Sequence, residues 1–144
     1  PSLEHTKLFI NASCYLHCQS EDLLPIEKRE TPSYLSFKRP RNIMEDINHP
    51  DLMCGKAKGY DHHFYFDDLD PLSLKSELIG REYKMSIYSD FNGMQIYSYN
   101  YLTNVECHEV VNDLRRCLAM EPQDSFLTIN LLSPLLNPIV SIGE

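Results

Sequence analysis

Residues 59–68 read Gly59-Tyr60-Asp61-His62-His63-Phe64-Tyr65-Phe66-Asp67-Asp68. As an extended strand, this run sends Asp61, His63 and Tyr65 to one face and His62, Phe64 and Phe66 to the other. Phe64 and Phe66 then read as core, and Asp67 and Asp68 as a solvated strand end. The alternation also bears on metal binding. Two histidines and a carboxylate are a familiar zinc or iron set, but adjacent histidines on a strand diverge and do not readily reach one ion. Two readings of Asp61 remain open from its spacing: a solvated or turn residue, or a hydrogen-bond acceptor for a polar ligand flanked by aromatic surface.

Working outward, Leu8-Phe9-Ile10 and Cys14-Tyr15-Leu16 are short β-prone runs. Met85-Ser86-Ile87-Tyr88-Ser89 and Met94-Gln95-Ile96-Tyr97-Ser98-Tyr99 alternate apolar with polar, as half-buried strands do. Asp90-Phe91-Asn92-Gly93 between them is a turn-rich break, so a hairpin with a longer loop is expected. Leu118-Ala119-Met120-Glu121 and Phe126-Leu127-Thr128-Ile129 add two more short runs, with residues 114–120 also open to a helical turn. Pro122 limits how far the first of these can continue in a central strand. Nine prolines in 144 residues leave little room for long helices. The expected architecture is all-β with long connections at residues 20–35 and 39–59, and such loops on a β scaffold are where sites tend to sit.

Composition narrows the function classes. At 42% hydrophobic and 24% charged, the chain suits one globular unit, residues 1–144, without repeats or a low-complexity divide. A net charge of -8 repels phosphate backbones, and the densest basic run is only Lys38-Arg39-Pro40-Arg41. Nucleic acid is not an expected partner. Neither is a membrane, because no apolar run approaches the roughly 20 residues of a spanning helix. Five cysteines at irregular spacing argue against a disulfide framework and for a reducing, cytoplasmic setting, where they serve as small buried hydrophobes. Cys14-Tyr15-Leu16-His17-Cys18 lacks a second pair at zinc-site spacing. The opening Pro1-Ser2 and the ending Ile142-Gly143-Glu144, just after alternating apolar residues, read as the ends of a fragment.

Glu121 offers a second chemical candidate. It follows three apolar residues, and Gln123 shares its face if the strand continues. It is either a solvent-facing strand-end carboxylate or, against an apolar wall, a base with a raised pKa. No glycine-rich phosphate loop or nucleophile elbow is present.

The order of the motifs carries a resemblance. His5-Thr6-Lys7-Leu8-Phe9-Ile10-Asn11-Ala12-Ser13-Cys14-Tyr15-Leu16, Leu24-Pro25, Thr31-Pro32-Ser33-Tyr34-Leu35-Ser36-Phe37-Lys38-Arg39-Pro40, Gly59-Tyr60-Asp61-His62, Gln95-Ile96-Tyr97-Ser98-Tyr99-Asn100 and Glu121-Pro122-Gln123 follow one another in a sequence that resembles the aldose 1-epimerase (galactose mutarotase) family. The resemblance implies an antiparallel β-sandwich of the galactose mutarotase type, with a hexose such as galactose or glucose held in a cleft on a curved sheet. It implies Glu121 as the base that takes the anomeric hydroxyl proton and Asp61 as an acceptor for sugar hydroxyls, with Gln123 and Tyr97 as further contacts. It implies no metal and no cofactor.

The general-acid histidine of that family lies in an Asn-His-containing stretch that precedes the point matching Pro1, and the family's sugar-binding arginine lies earlier still. His5, His17, His49, His62, His63 and His108 are all outside that motif. The segment after Gln123, Asp124-Ser125-Phe126-Leu127-Thr128-Ile129-Asn130, also departs from the family pattern. Two readings follow: the base-bearing portion of an aldose 1-epimerase, inactive by itself, or a non-catalytic carbohydrate-binding or regulatory protein on the same sandwich. A partner chain supplying the N-terminal portion is one way such a piece would be ordered.

Overall fold

The structure, a computed structural model, describes residues 3–19, 24–52, 59–98 and 117–125. Nine strands run in order: β1 (Lys7–Ile10), β2 (Cys14–Cys18), β3 (Pro25–Glu30), β4 (Arg41–Asn42), β5 (Asp61–Tyr65), β6 (Leu74–Ile79), β7 (Lys84–Tyr88), β8 (Gly93–Tyr97) and β9 (Ala119–Gln123). They form two antiparallel sheets, β4-β1-β6-β7 and β3-β2-β5-β8-β9. The all-β sandwich is as the alternation implied, and no α-helix occurs among the described residues.

The core lies between the sheets. Leu8 and Ile10 of β1, Phe64 of β5, and Met94 and Ile96 of β8 are almost wholly buried in one cluster. The long connection after β3 adds Leu35, Phe37, Ile43, Ile47 and Leu52 to it. Phe37 meets Tyr60 and Phe64 edge-on at 5.4 and 6.4 Å, the geometry that aromatic quadrupoles favour. Arg41 pins this connection. Its guanidinium stacks 4.6 Å above Phe37 and donates to Ser36 O, Tyr34 O and Asp46 Oδ2. The Tyr60 hydroxyl donates to Ile43 O at 2.9 Å, and burial holds its pKa far above the phenol range. Among its described residues the segment carries only the two-residue β4 and a 3-10 turn, Pro50–Leu52.

Three expectations change. The two runs around Asp90-Phe91-Asn92-Gly93 do not form a hairpin: β7 is the edge of one sheet, and β8 lies between β5 and β9 in the other. The connection crosses the sandwich and docks on the end of β5, with Phe66 N donating to Asn92 O at 2.9 Å. Residues 20–35 are not loop throughout, since β3 occupies Pro25–Glu30. Its residues show no burial alternation because β3 is an edge strand, exposed along most of its length, and charged edges resist further pairing. The cysteines are less buried than expected: Cys14 and Cys18 are half-buried and Cys117 is exposed. Cys54 and Cys107 lie outside the described residues, as do residues 114–116 and the run at Phe126.

Strand β6 had no apolar signal because Lys75-Ser76-Glu77 interrupts it. Lys75 is nevertheless fully buried. Its ammonium donates to Asp68 O, Asp70 O and Ser73 Oγ at 2.5–2.7 Å, so all three donors of the buried cation are satisfied. The end of the opening stretch is exposed as expected, and Asp67 accepts from Ser13 N, Ser13 Oγ and Lys38 Nζ there.

Candidate functional site

Register decides which side chains share a face. Along β5, β8 and β9, Asp61 pairs with Tyr97 and Tyr97 with Ala119; His63 pairs with Gln95 and Gln95 with Glu121; Tyr65 pairs with Gly93 and Gly93 with Gln123. Paired residues and their i±2 neighbours point the same way. Asp61, Tyr97, Glu121 and Gln123, the four residues singled out from the sequence, therefore occupy one face of three adjacent strands. Phe64, Met94 and Ile96 take the opposite face, toward the core. His62 belongs to that inner set, with its ring 6.1 Å from Tyr15, so the paired histidines diverge as strand alternation requires. No cluster of metal-ligating side chains occurs among the described residues.

Asp61 opens β5 just after Gly59, whose φ of 124° is a backbone setting that glycine adopts without strain. The carboxylate is half-buried and accepts from Gln95 Nε2 at 2.7 Å. Burial raises its pKa, the Gln95 bond opposes that rise, and the charge of Glu121 adds to it. Each effect has a plain origin: less water around the anion, a donor favouring the charged form, and a like charge nearby. Two carboxylates thus face one region, with the Gln95 amide bonded to Asp61 and paired across the strands with Glu121. Glu121 and Gln123 are exposed on β9, and Tyr97 is half-buried beside Asp61. A hydroxyl-rich ligand laid across β5 and β9 would meet acceptors at both ends and donors from Gln95, Gln123 and Tyr97.

Gln95 and His63 complete the row, and neither was singled out as a contact in the sequence. Gln95 could have been found from its position two residues before Tyr97, on the same face. His63 stands between Asp61 and Tyr65, with the Tyr65 ring edge-on at 5.5 Å. It is 6% exposed, its Nε2 lies 2.8 Å from Ser125 Oγ, and burial lowers its pKa to about 4. At neutral pH it is an uncharged imidazole. Lys28 of β3 lies 4.7 Å over the Tyr65 ring at the far side of the same face.

Comparison with known proteins bears on the fold. No protein-family model matches the sequence, and no curated protein matches it. Solved structures do. The GalM/aldose epimerase homologue from C. elegans aligns with 84% of this chain at a TM-score of 0.66 and 15% identity. Galactose 1-epimerase from Lactobacillus acidophilus aligns with 85% at a TM-score of 0.66 and 17% identity. In both cases the chain spans 37% of the length of the structure it matches. The chain thus has the β-sandwich fold of the galactose mutarotase and aldose epimerase structures, over a little more than a third of their length.

Proposed function

We propose that this chain forms the hexose-binding, base-bearing portion of an aldose 1-epimerase that interconverts the α and β anomers of galactose, glucose or a related sugar. The observation that carries the reading is the shared face of β5, β8 and β9, which gathers Asp61, Gln95, Tyr97, Glu121 and Gln123 on a mutarotase-like sandwich. Asp61 accepts from ring hydroxyls, held in place by Gln95. Glu121 takes the proton of the anomeric hydroxyl, so that the C1–O5 bond breaks as the carbonyl forms. A separate acid delivers a proton to O5, the C1–C2 bond rotates, and closure from the other face gives the second anomer. Proton transfers alone are involved, so the scheme uses neither metal nor cofactor.

Replacing Glu121 by Gln in the longest protein that contains this chain, and following anomer interconversion by polarimetry, tests the assignment. A rate reduced by about 10²- to 10⁴-fold, the ordinary range for a lost general base, supports it. An unchanged rate removes Glu121 from the mechanism.

A second reading, sugar binding without turnover, rests on the departure of residues 124–130 from the family pattern, and His63 does not offer a substitute acid. It is the histidine that the described part of this face presents, and it is buried, uncharged at neutral pH and engaged by Ser125. It is therefore not placed to supply the ring-oxygen proton. Sugar binding at an unaltered affinity with no anomer interconversion, measured on that same protein, would select this reading.

A further inference from the structure

The end of β9 is tied down by a small polar cluster that the sugar scheme does not use. Ser125 lies two residues beyond Gln123 and is fully buried. Its backbone N donates to Asn92 Oδ1 at 2.6 Å, and its hydroxyl meets His63 Nε2 at 2.8 Å. Asn92 belongs to the connection entering β8, and His63 sits at the middle of β5. Ser125 therefore joins three strands at the level of the Gly93–Gln123 pair, one residue pair beyond Glu121 on the same face.

Gly93 is what makes room for the junction. A Cβ there would lie 2.5 Å from His63 Nε2, 2.6 Å from Phe64 O and 2.7 Å from Ser125 Oγ. All three distances are far inside contact range, and Phe64 O is backbone that cannot swing away. The sequence spends a glycine where any side chain would drive Ser125 off the imidazole. Meanwhile β9 has a single described strand neighbour, β8, and Pro122 withholds one amide from any ladder. A short strand with so few backbone ties gains most of its fixed position from such an anchor.

We propose that His63 is a positioning residue: through Ser125, in a slot that Gly93 keeps open, it clamps β9 and thereby sets where Glu121 and Gln123 stand relative to Asp61. The positioning role rests on the sugar-binding reading of this face; the clamp itself does not. His63 touches no sugar in this account. It works as a neutral hydrogen-bonding group, which its burial ensures at ordinary pH.

The test uses the longest protein that contains this chain, with variants Ser125→Ala, His63→Phe, the double variant and His63→Gln, and reads amide hydrogen exchange and galactose affinity. Loss of one buried hydrogen bond should speed exchange at Glu121 and Gln123 about five- to tenfold, while β6 and β7 amides keep their wild-type rates as an internal check on folding. The double variant should be no faster than either single one, and His63→Gln, which keeps a polar side-chain tip, should restore part of the protection. Galactose affinity should fall in the same order as protection. Unchanged exchange in Ser125→Ala, or additive effects in the double variant, would overturn the clamp. Altered exchange with unaltered galactose affinity would overturn the positioning role. A wild-type chain that binds no galactose yet shows the coupled exchange pattern would refute the sugar reading and leave the clamp standing.

Discussion

Asp61 and His63 are two residues apart on one strand face and are pushed in opposite directions by the same cause. Burial disfavours charge, so it raises the carboxylate and lowers the imidazole. For Asp61, the Gln95 donor keeps the anion useful as an acceptor. Asp61→Asn should therefore weaken galactose binding about 10- to 100-fold, the worth of a charge-assisted hydrogen bond, with little change in urea midpoint; calorimetric titration beside an unfolding curve checks both. For His63 the sign of the pH effect follows from its depressed value. The unfolded chain takes up a proton near pH 6.5 and the folded one only near 4, so stability is full above 6.5 and falls as pH drops toward 4. The loss amounts to about 3 kcal/mol. His62, also lowered to about 4, acts in the same direction. Urea unfolding at several pH values between 7 and 4 should show this decline, with a shallower slope in His63→Gln. The face that Asp61 shares with His63 and Tyr65 was legible from a single run of sequence because strand alternation is a local rule. His63's bond to Ser125 was not, because it joins residues 62 positions apart.

Among the elements, β6 shows why local pattern fails where burial is polar. The sequence Leu74-Lys75-Ser76-Glu77-Leu78-Ile79 places a lysine in the interior, and only the returning carbonyls of Asp68 and Asp70 make that tolerable. Lys75→Met should take its donor from Asp68 O, while Asp70 O keeps Ser73 N and Ser73 Oγ, and should cost about 1–2 kcal/mol in urea unfolding through the lost charge-assisted hydrogen bonds. A loss under 0.5 kcal/mol would mean that water reaches the carbonyls. Strand β3 was missed for the converse reason: an edge strand exposed on both sides has no burial period to read. The hairpin expected from β7 and β8 failed because turn chemistry at Asp90-Phe91-Asn92-Gly93 specifies a reversal without specifying which sheet receives the next strand. That choice is made by long-range contacts, Phe66 N to Asn92 O and the pairing of β8 with β5.

At the scale of the whole molecule, the ordered set of motifs pointed to the sandwich that the structure shows, although the chain is only 15–17% identical to the solved structures sharing the fold. The buried faces of β1, β5 and β8 carry that agreement, because a packed interior constrains residue class more than identity. The same architecture leaves β7 at a sheet edge with Met85 43% and Tyr88 58% exposed. An edge that no described strand covers and that bears apolar side chains favours pairing with another chain, so sedimentation of the isolated chain should show concentration-dependent association that Met85→Lys diminishes. The central claim, a hydroxyl-binding face on β5, β8 and β9, is tested most directly by titrating galactose into the isotope-labelled longest protein that contains this chain and following its amide resonances. The account predicts shifts gathered at Asp61, Gln95, Tyr97, Glu121 and Gln123 with β1, β6 and β7 unmoved; no shifts at millimolar sugar, or shifts confined to the other sheet, would contradict it.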